Sequence, residues 1–127
     1  MSKRVIETKL APLPVGPYSQ AIEVGDTLYC SGQIAIDPAT GVILKGDIKL
    51  QTERVMQNIK AVLEAASLSF THIIKTTIYL TDMGDFEKVN EVYSQYFKSS
   101  PPARSTVAVS ALPKGVNVEI EVLAKRA

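Results

Sequence analysis

Pro101-Pro102-Ala103-Arg104-Ser105-Thr106-Val107-Ala108-Val109, taken with Val118-Glu119-Ile120-Glu121-Val122, decides how this chain is read. The two prolines keep the backbone extended and end any helix before them. Beyond them, residues alternate with the two-residue period of a strand. Ser105, Val107 and Val109 fall on one face, Arg104, Thr106 and Ala108 on the other. In the second segment Val116, Val118, Ile120 and Val122 share a face, with Asn117, Glu119 and Glu121 opposite. If both valine rows look into one core, Arg104 and the two carboxylates share the opposite surface. Such a grouping is either a solvated ion pair or a site.

The rest of the chain sets the frame. Its 127 residues suit one domain, 1–127, with a single core. Fourteen basic and 13 acidic residues leave a net charge of +1. No basic stripe marks a nucleic-acid surface. No apolar run approaches the roughly 20 residues of a membrane span, and the N-terminus lacks the apolar stretch of a signal peptide. A cytoplasmic address is the expectation, and the lone Cys30 agrees with it.

Outward from the opening stretch, the periodicity changes twice. Val55, Met56, Ile59, Val62, Leu63 and Ala66 form the apolar stripe of a helix from about Lys49 to Ala66. Phe86, Val89, Tyr93 and Phe97 do the same for a second helix, about Phe86 to Lys98, which Asp85 is placed to cap. Between them Ile73–Leu80 reads as a strand. Upstream, residues 4–8 form a short strand, and Ala21–Val24 and Thr27–Gly32 flank Gly25-Asp26 as a hairpin. The proline-rich loop Ala11–Tyr18 is expected to be ordered by packing of Tyr18. The order β-β-β-α-β-α-β-β with two one-sided helices predicts an α+β, two-layer fold, one mixed sheet with both helices on one face. The opposite face would carry Tyr29, Ser31, Thr76 or Thr77, Arg104, Thr106 and Glu119. That mixture suits coverage by another subunit.

Five blocks in order carry a resemblance: Gly16-Pro17-Tyr18-Ser19-Gln20-Ala21; Ser31-Gly32-Gln33-Ile34; Lys75–Asp82 with Phe86, Val89 and Asn90; Pro102-Ala103-Arg104-Ser105; and Val118-Glu119-Ile120-Glu121 after Leu112-Pro113. Over essentially its whole length the chain resembles the YjgF/RidA family of enamine/imine deaminases. The resemblance implies a chorismate mutase-like fold in a homotrimer, with a central barrel and clefts between subunits. The implied reaction is hydrolysis of 2-iminobutanoate and 2-iminopropanoate to 2-oxo acids and ammonia, with no cofactor. Carried over, Arg104 is the carboxylate anchor and Glu119 the residue that orients or activates water. Tyr18, Ser31, Gly32 and Asn90 line the pocket with Thr106, which stands where many members have cysteine. If Thr106 contributes its backbone N–H, the change costs little; a thiol function is in doubt.

On the residues alone, several alternatives stay open. Glu119 and Glu121 point the same way, and only the resemblance chooses Glu119. A nearby Arg104 would hold Glu119 ionised at neutral pH. Asn90 lies off its helix's apolar stripe and by pattern faces solvent. His72, the only histidine, reads as a surface residue, not a metal ligand, and Cys30 as a buried small hydrophobe. A second function keeps the same cleft without turnover, as a ligand-sensing trimer regulating a partner protein. RNA cleavage fits poorly with near-neutral charge and no pair of histidines.

Overall fold

The computed structural model describes residues 2–127. One six-stranded mixed sheet has the order β1-β2-β3-β6-β4-β5. Its strands are β1 (Arg4–Ile6), β2 (Ala21–Val24), β3 (Thr27–Cys30), β4 (Ile73–Leu80), β5 (Ala103–Ala108) and β6 (Val118–Lys125). All neighbours run antiparallel except β4 and β5. Helix α1 (Ile48–Ala65) connects β3 to β4, and α2 (Phe86–Tyr93) is the crossover that parallel β4 and β5 require. The α+β architecture predicted from the periodicities is the one observed.

Local chemistry explains the elements. Gly25 adopts φ 57° in the two-residue turn between β2 and β3, a conformation that glycine takes without steric cost. Asp47 caps α1, its carboxylate accepting from the amides of Lys49 at 2.9 Å and Leu50 at 3.1 Å. The predicted α1 stripe is fully buried from Val55 to Ala66. It packs on Leu28, Ile78, Leu80, Val118 and Ile120 of the sheet.

Two helix details differ from expectation. The second helix stops at Tyr93 and tightens into a 3-10 turn, Ser94–Tyr96, well before the prolines. Asp85 makes no side-chain cap; Asp82 takes that role one turn earlier, accepting from the Gly84 amide at 2.8 Å.

The open face also differs. Arg104 pairs in register with Thr76, and Thr76 with Val122. Paired residues share a face, so Arg104, Thr106 and Ala108 lie on the helix side with buried Thr76, Ile78 and Leu80. Val107 and Glu119 both pair with Tyr79 and emerge on the other side. The two valine rows therefore do not face one core. β5 is an edge strand, and its valine row looks outward; alternation fixes which residues share a face but not which face is inside. The open face instead presents Tyr29, Thr77, Tyr79, Ser105, Val107, Glu119 and Glu121.

Candidate active site

Glu119 projects from β6, at the centre of the sheet, into a cleft of about 450 Å³ shared with Tyr18, Ser31, Gly32, Ile34 and Lys114. The chain after β3 is drawn alongside β6 by reciprocal bonds. The Gln33 amide donates to the Ile120 carbonyl at 2.9 Å, and the Ile120 amide returns one at 3.1 Å. Ser31 is held by its amide to the Gln20 carbonyl at 2.9 Å and by its hydroxyl to the Ser19 carbonyl at 2.6 Å. Between them Gly32 is required for space. A Cβ there would overlap the Glu119 carboxylate oxygen and stand 2.9 Å from its Cδ. The carboxylate thus lies directly against the Gly32 backbone.

The cleft wall, Pro12–Tyr18, is ordered, though not by its tyrosine. Tyr18 is 52% exposed. Order comes from Gln20, whose buried amide donates to the Ala11, Pro12 and Thr8 carbonyls while its oxygen accepts from the Thr8 amide. Gln20 stands in the sequence only as part of the Gly16–Ala21 block, and no spacing marks its side chain as the anchor of this loop.

Glu119 and Glu121 are distinguished by their partners. Glu121 accepts a hydrogen bond of 2.5 Å from the Tyr79 hydroxyl. Among the described residues Glu119 has no such donor; burial pushes its carboxyl up, and the neighbouring Glu121 charge adds to the effect. Arg104 has no part in this, contrary to the expectation that it would hold Glu119 ionised.

Arg104 belongs to a second, separate group. Its Nη1 donates to Asn90 Oδ1 at 2.6 Å. The guanidinium carbon is 5.4 Å from the Phe86 ring centroid and 5.1 Å from that of Tyr93. Phe86, Asn90 and Tyr93 are four and three residues apart, hence on one face of α2. Tyr93 is itself fixed by a 2.7 Å bond between its hydroxyl and Thr76 Oγ1. A hollow of about 420 Å³ opens here, walled by Asn90, Tyr93, Phe97, Pro101, Pro102 and Arg104. Thr106 lies two residues along the same strand face, and its Oγ1 is buried without a hydrogen-bond partner. Asn90, placed in solvent by its pattern, is half-buried and engaged. The ion-pair reading of Arg104 fails: among the described residues its guanidinium meets no carboxylate.

One chain thus carries two separate groups of candidate residues. Tyr18, Ser31, Gly32 and Glu119 form one; Asn90, Arg104 and Thr106 form the other. Glu119 is on β6 and Arg104 on β5, with β4 between them, and the side chains leave opposite faces. Two strand spacings amount to about 10 Å before the sheet's own thickness is added. A ligand of about four carbons cannot touch both within one chain.

The remaining candidates are structural. His72 Nδ1 accepts from the Ser69 amide at 3.0 Å inside a capping turn. Cys30 is buried in the core, and burial pushes its thiol up to about 12. Among the described residues no three His, Cys, Asp or Glu side chains gather as metal ligands. No helix among the described residues is long and apolar enough to cross a membrane.

A two-layer α+β chain with these two groups has well-defined counterparts. A family model described as Endoribonuclease L-PSP matches residues 8–126, and the chain belongs to this family, the YjgF/RidA family. A RutC family protein of Pyrococcus abyssi is 58% identical over 124 residues, 98% of each chain. Human 2-iminobutanoate/2-iminopropanoate deaminase is 48% identical over 122 residues, covering 96% of this chain and 89% of its own. The E. coli TdcF structure with bound serine superposes with a TM-score of 0.94 at 43% identity, covering 98% of this chain and 99% of the other.

Proposed function

We propose that this protein hydrolyses small 2-imino acids, 2-iminobutanoate and 2-iminopropanoate, to 2-oxo acids and ammonia. The site would form where the Arg104 half of one copy meets the Glu119 half of another in a homotrimer. The observation that carries the reading is the state of Arg104. Its guanidinium is clamped by Asn90 and bracketed by two rings, yet it has no carboxylate of its own. A fixed guanidinium fork with free N–H groups suits a substrate carboxylate. The human relative's name and the serine bound to TdcF support an amino-acid-like ligand.

The chemistry follows from the two halves. Arg104 holds the carboxylate and sets the C2–N bond in front of Glu119. Ionised Glu119 takes a proton from water as the oxygen bonds to C2 and the C=N pair moves to nitrogen. The protonated acid then returns that proton to nitrogen. Glu119 then carries the new hydroxyl's proton to the amine nitrogen as the C–N bond breaks and the C=O bond forms, leaving the 2-oxo acid and ammonia. Imines hydrolyse readily, so positioning and one proton carrier suffice, with no covalent nucleophile. A carboxyl raised towards neutrality gives and takes a proton more evenly than an ordinary one. Gly32 leaves room for that carboxyl, and Thr106 offers its unpaired hydroxyl or its amide near Arg104.

The test generates 2-iminobutanoate with threonine dehydratase and follows 2-oxobutanoate while a competing amine traps free imine. Wild type should accelerate release. Arg104→Ala should lose about a hundredfold in kcat/KM, the scale of a lost charge-assisted pair. Equal rates for both, or no acceleration by either, would reject the reading. A trimer that binds without turnover would show 2-oxo acid binding abolished by Arg104→Ala and no rate effect.

A further inference from the structure

Resting on the deaminase reading, one feature of the open sheet face extends it. We propose that Tyr79 and Glu121 are a positioning pair for Glu119, fixing a second negative charge beside it and directing its carboxylate into the cleft.

The strand register supplies the geometry. Tyr79 stands directly opposite Glu119 across β4 and β6, so both side chains rise from one face as neighbours. The tyrosine hydroxyl does not turn to Glu119. It runs diagonally to Glu121, two residues along β6, and donates to it at 2.5 Å; diagonal pairs are within an aromatic side chain's reach. The ring therefore occupies the β4 side of Glu119, and the Gly32 backbone closes on the other.

This arrangement solves a problem that two like residues create. Carboxylates at positions i and i+2 of a strand share a face and, left free, can share one proton between them. Glu119 would then be neither a dependable base nor a dependable acid. With the Tyr79 hydroxyl donating to it, the Glu121 carboxylate is held in one place beside Glu119. Its charge acts on Glu119 without taking its proton. The other groups facing this region do not replace it. Lys75 of β4 is drawn away across to the Ser105 hydroxyl of β5 at 2.9 Å, and Tyr29 of β3 stands opposite Leu123. Tyr18 and Lys114 border the cleft from its loops.

The test uses the assembled protein labelled with ¹³C-glutamate, the Glu119 signal being assigned by its loss in Glu119→Gln. Glu121→Gln keeps a hydrogen-bonding group for Tyr79 but removes the charge. It should lower the Glu119 titration midpoint by about half a pH unit or more, and move the acidic limb of kcat/KM the same way. Tyr79→Phe keeps the ring and removes the donor; kcat should fall about tenfold with KM near wild type. Glu121→Asp, which retains the charge, should keep the Glu119 midpoint nearer wild type than Glu121→Gln does. A Glu119 midpoint unmoved by Glu121→Gln, or an unchanged kcat in Tyr79→Phe, overturns the pair. Failure of the deaminase reading itself looks different: wild type would not hydrolyse imine, while the Glu119 midpoint would still respond to Glu121.

Discussion

Glu119 and Gly32 have to be considered together, because one residue's missing side chain makes room for the other's carboxylate. Gly32→Ala meets the flexible end of Glu119, so the fold should survive while the carboxylate is displaced. The expected result is a fall in kcat of tenfold or more with little change in the urea midpoint, measured side by side. Glu119 also predicts a pH dependence of definite sign. Its folded-state pKa is raised by burial and by Glu121, so ionising it costs more in the folded protein than in the unfolded chain. Activity should fall as pH drops through a limb lying above the ordinary carboxylate range, and Glu119→Gln should abolish both the limb and most of kcat. The same variant should be more stable than wild type at neutral pH, the gain fading as pH falls through the raised folded-state value and gone below that of an exposed glutamate. At this scale the sequence misjudged how Arg104 and Glu119 are related. Alternation groups Arg104 with Thr106 and Glu119 with Glu121 correctly. It carries no sign for inside and outside, and an edge strand with an outward valine row reverses the natural guess.

The elements were legible wherever burial is one-sided. The α1 stripe, the β2–β3 turn at Gly25-Asp26 and the strand alternation of β4 and β6 all follow from apolar spacing and turn chemistry, and the structure has them. Misses fall where a polar side chain satisfies backbone from a distance. Asp82 rather than Asp85 starts the α2 region, and Gln20 rather than Tyr18 orders the loop over the cleft. A buried glutamine serving four backbone groups leaves no periodic trace. Gln20→Ala would leave those groups buried and unpaired, at about 2 kcal/mol or more. Urea unfolding should register that loss. Limited proteolysis should show cleavage within residues 11–18 that the wild-type chain resists.

The whole molecule turns on what one chain cannot do alone. Its helices cover one sheet face, and the other exposes Tyr29 and Val107 beside polar groups. The two half-sites leave the sheet on opposite sides, so the deaminase reading requires a neighbouring copy to complete each site. Co-expression of Arg104→Ala with Glu119→Gln tests this most directly, since each variant supplies the half that the other lacks. The co-expressed population should recover about a quarter of wild-type imine hydrolysis when the two are random and equal, and trimers purified to contain both variants about a third, while each variant alone stays near background. Mixed assemblies that are no more active than the separate variants would contradict a site shared between copies.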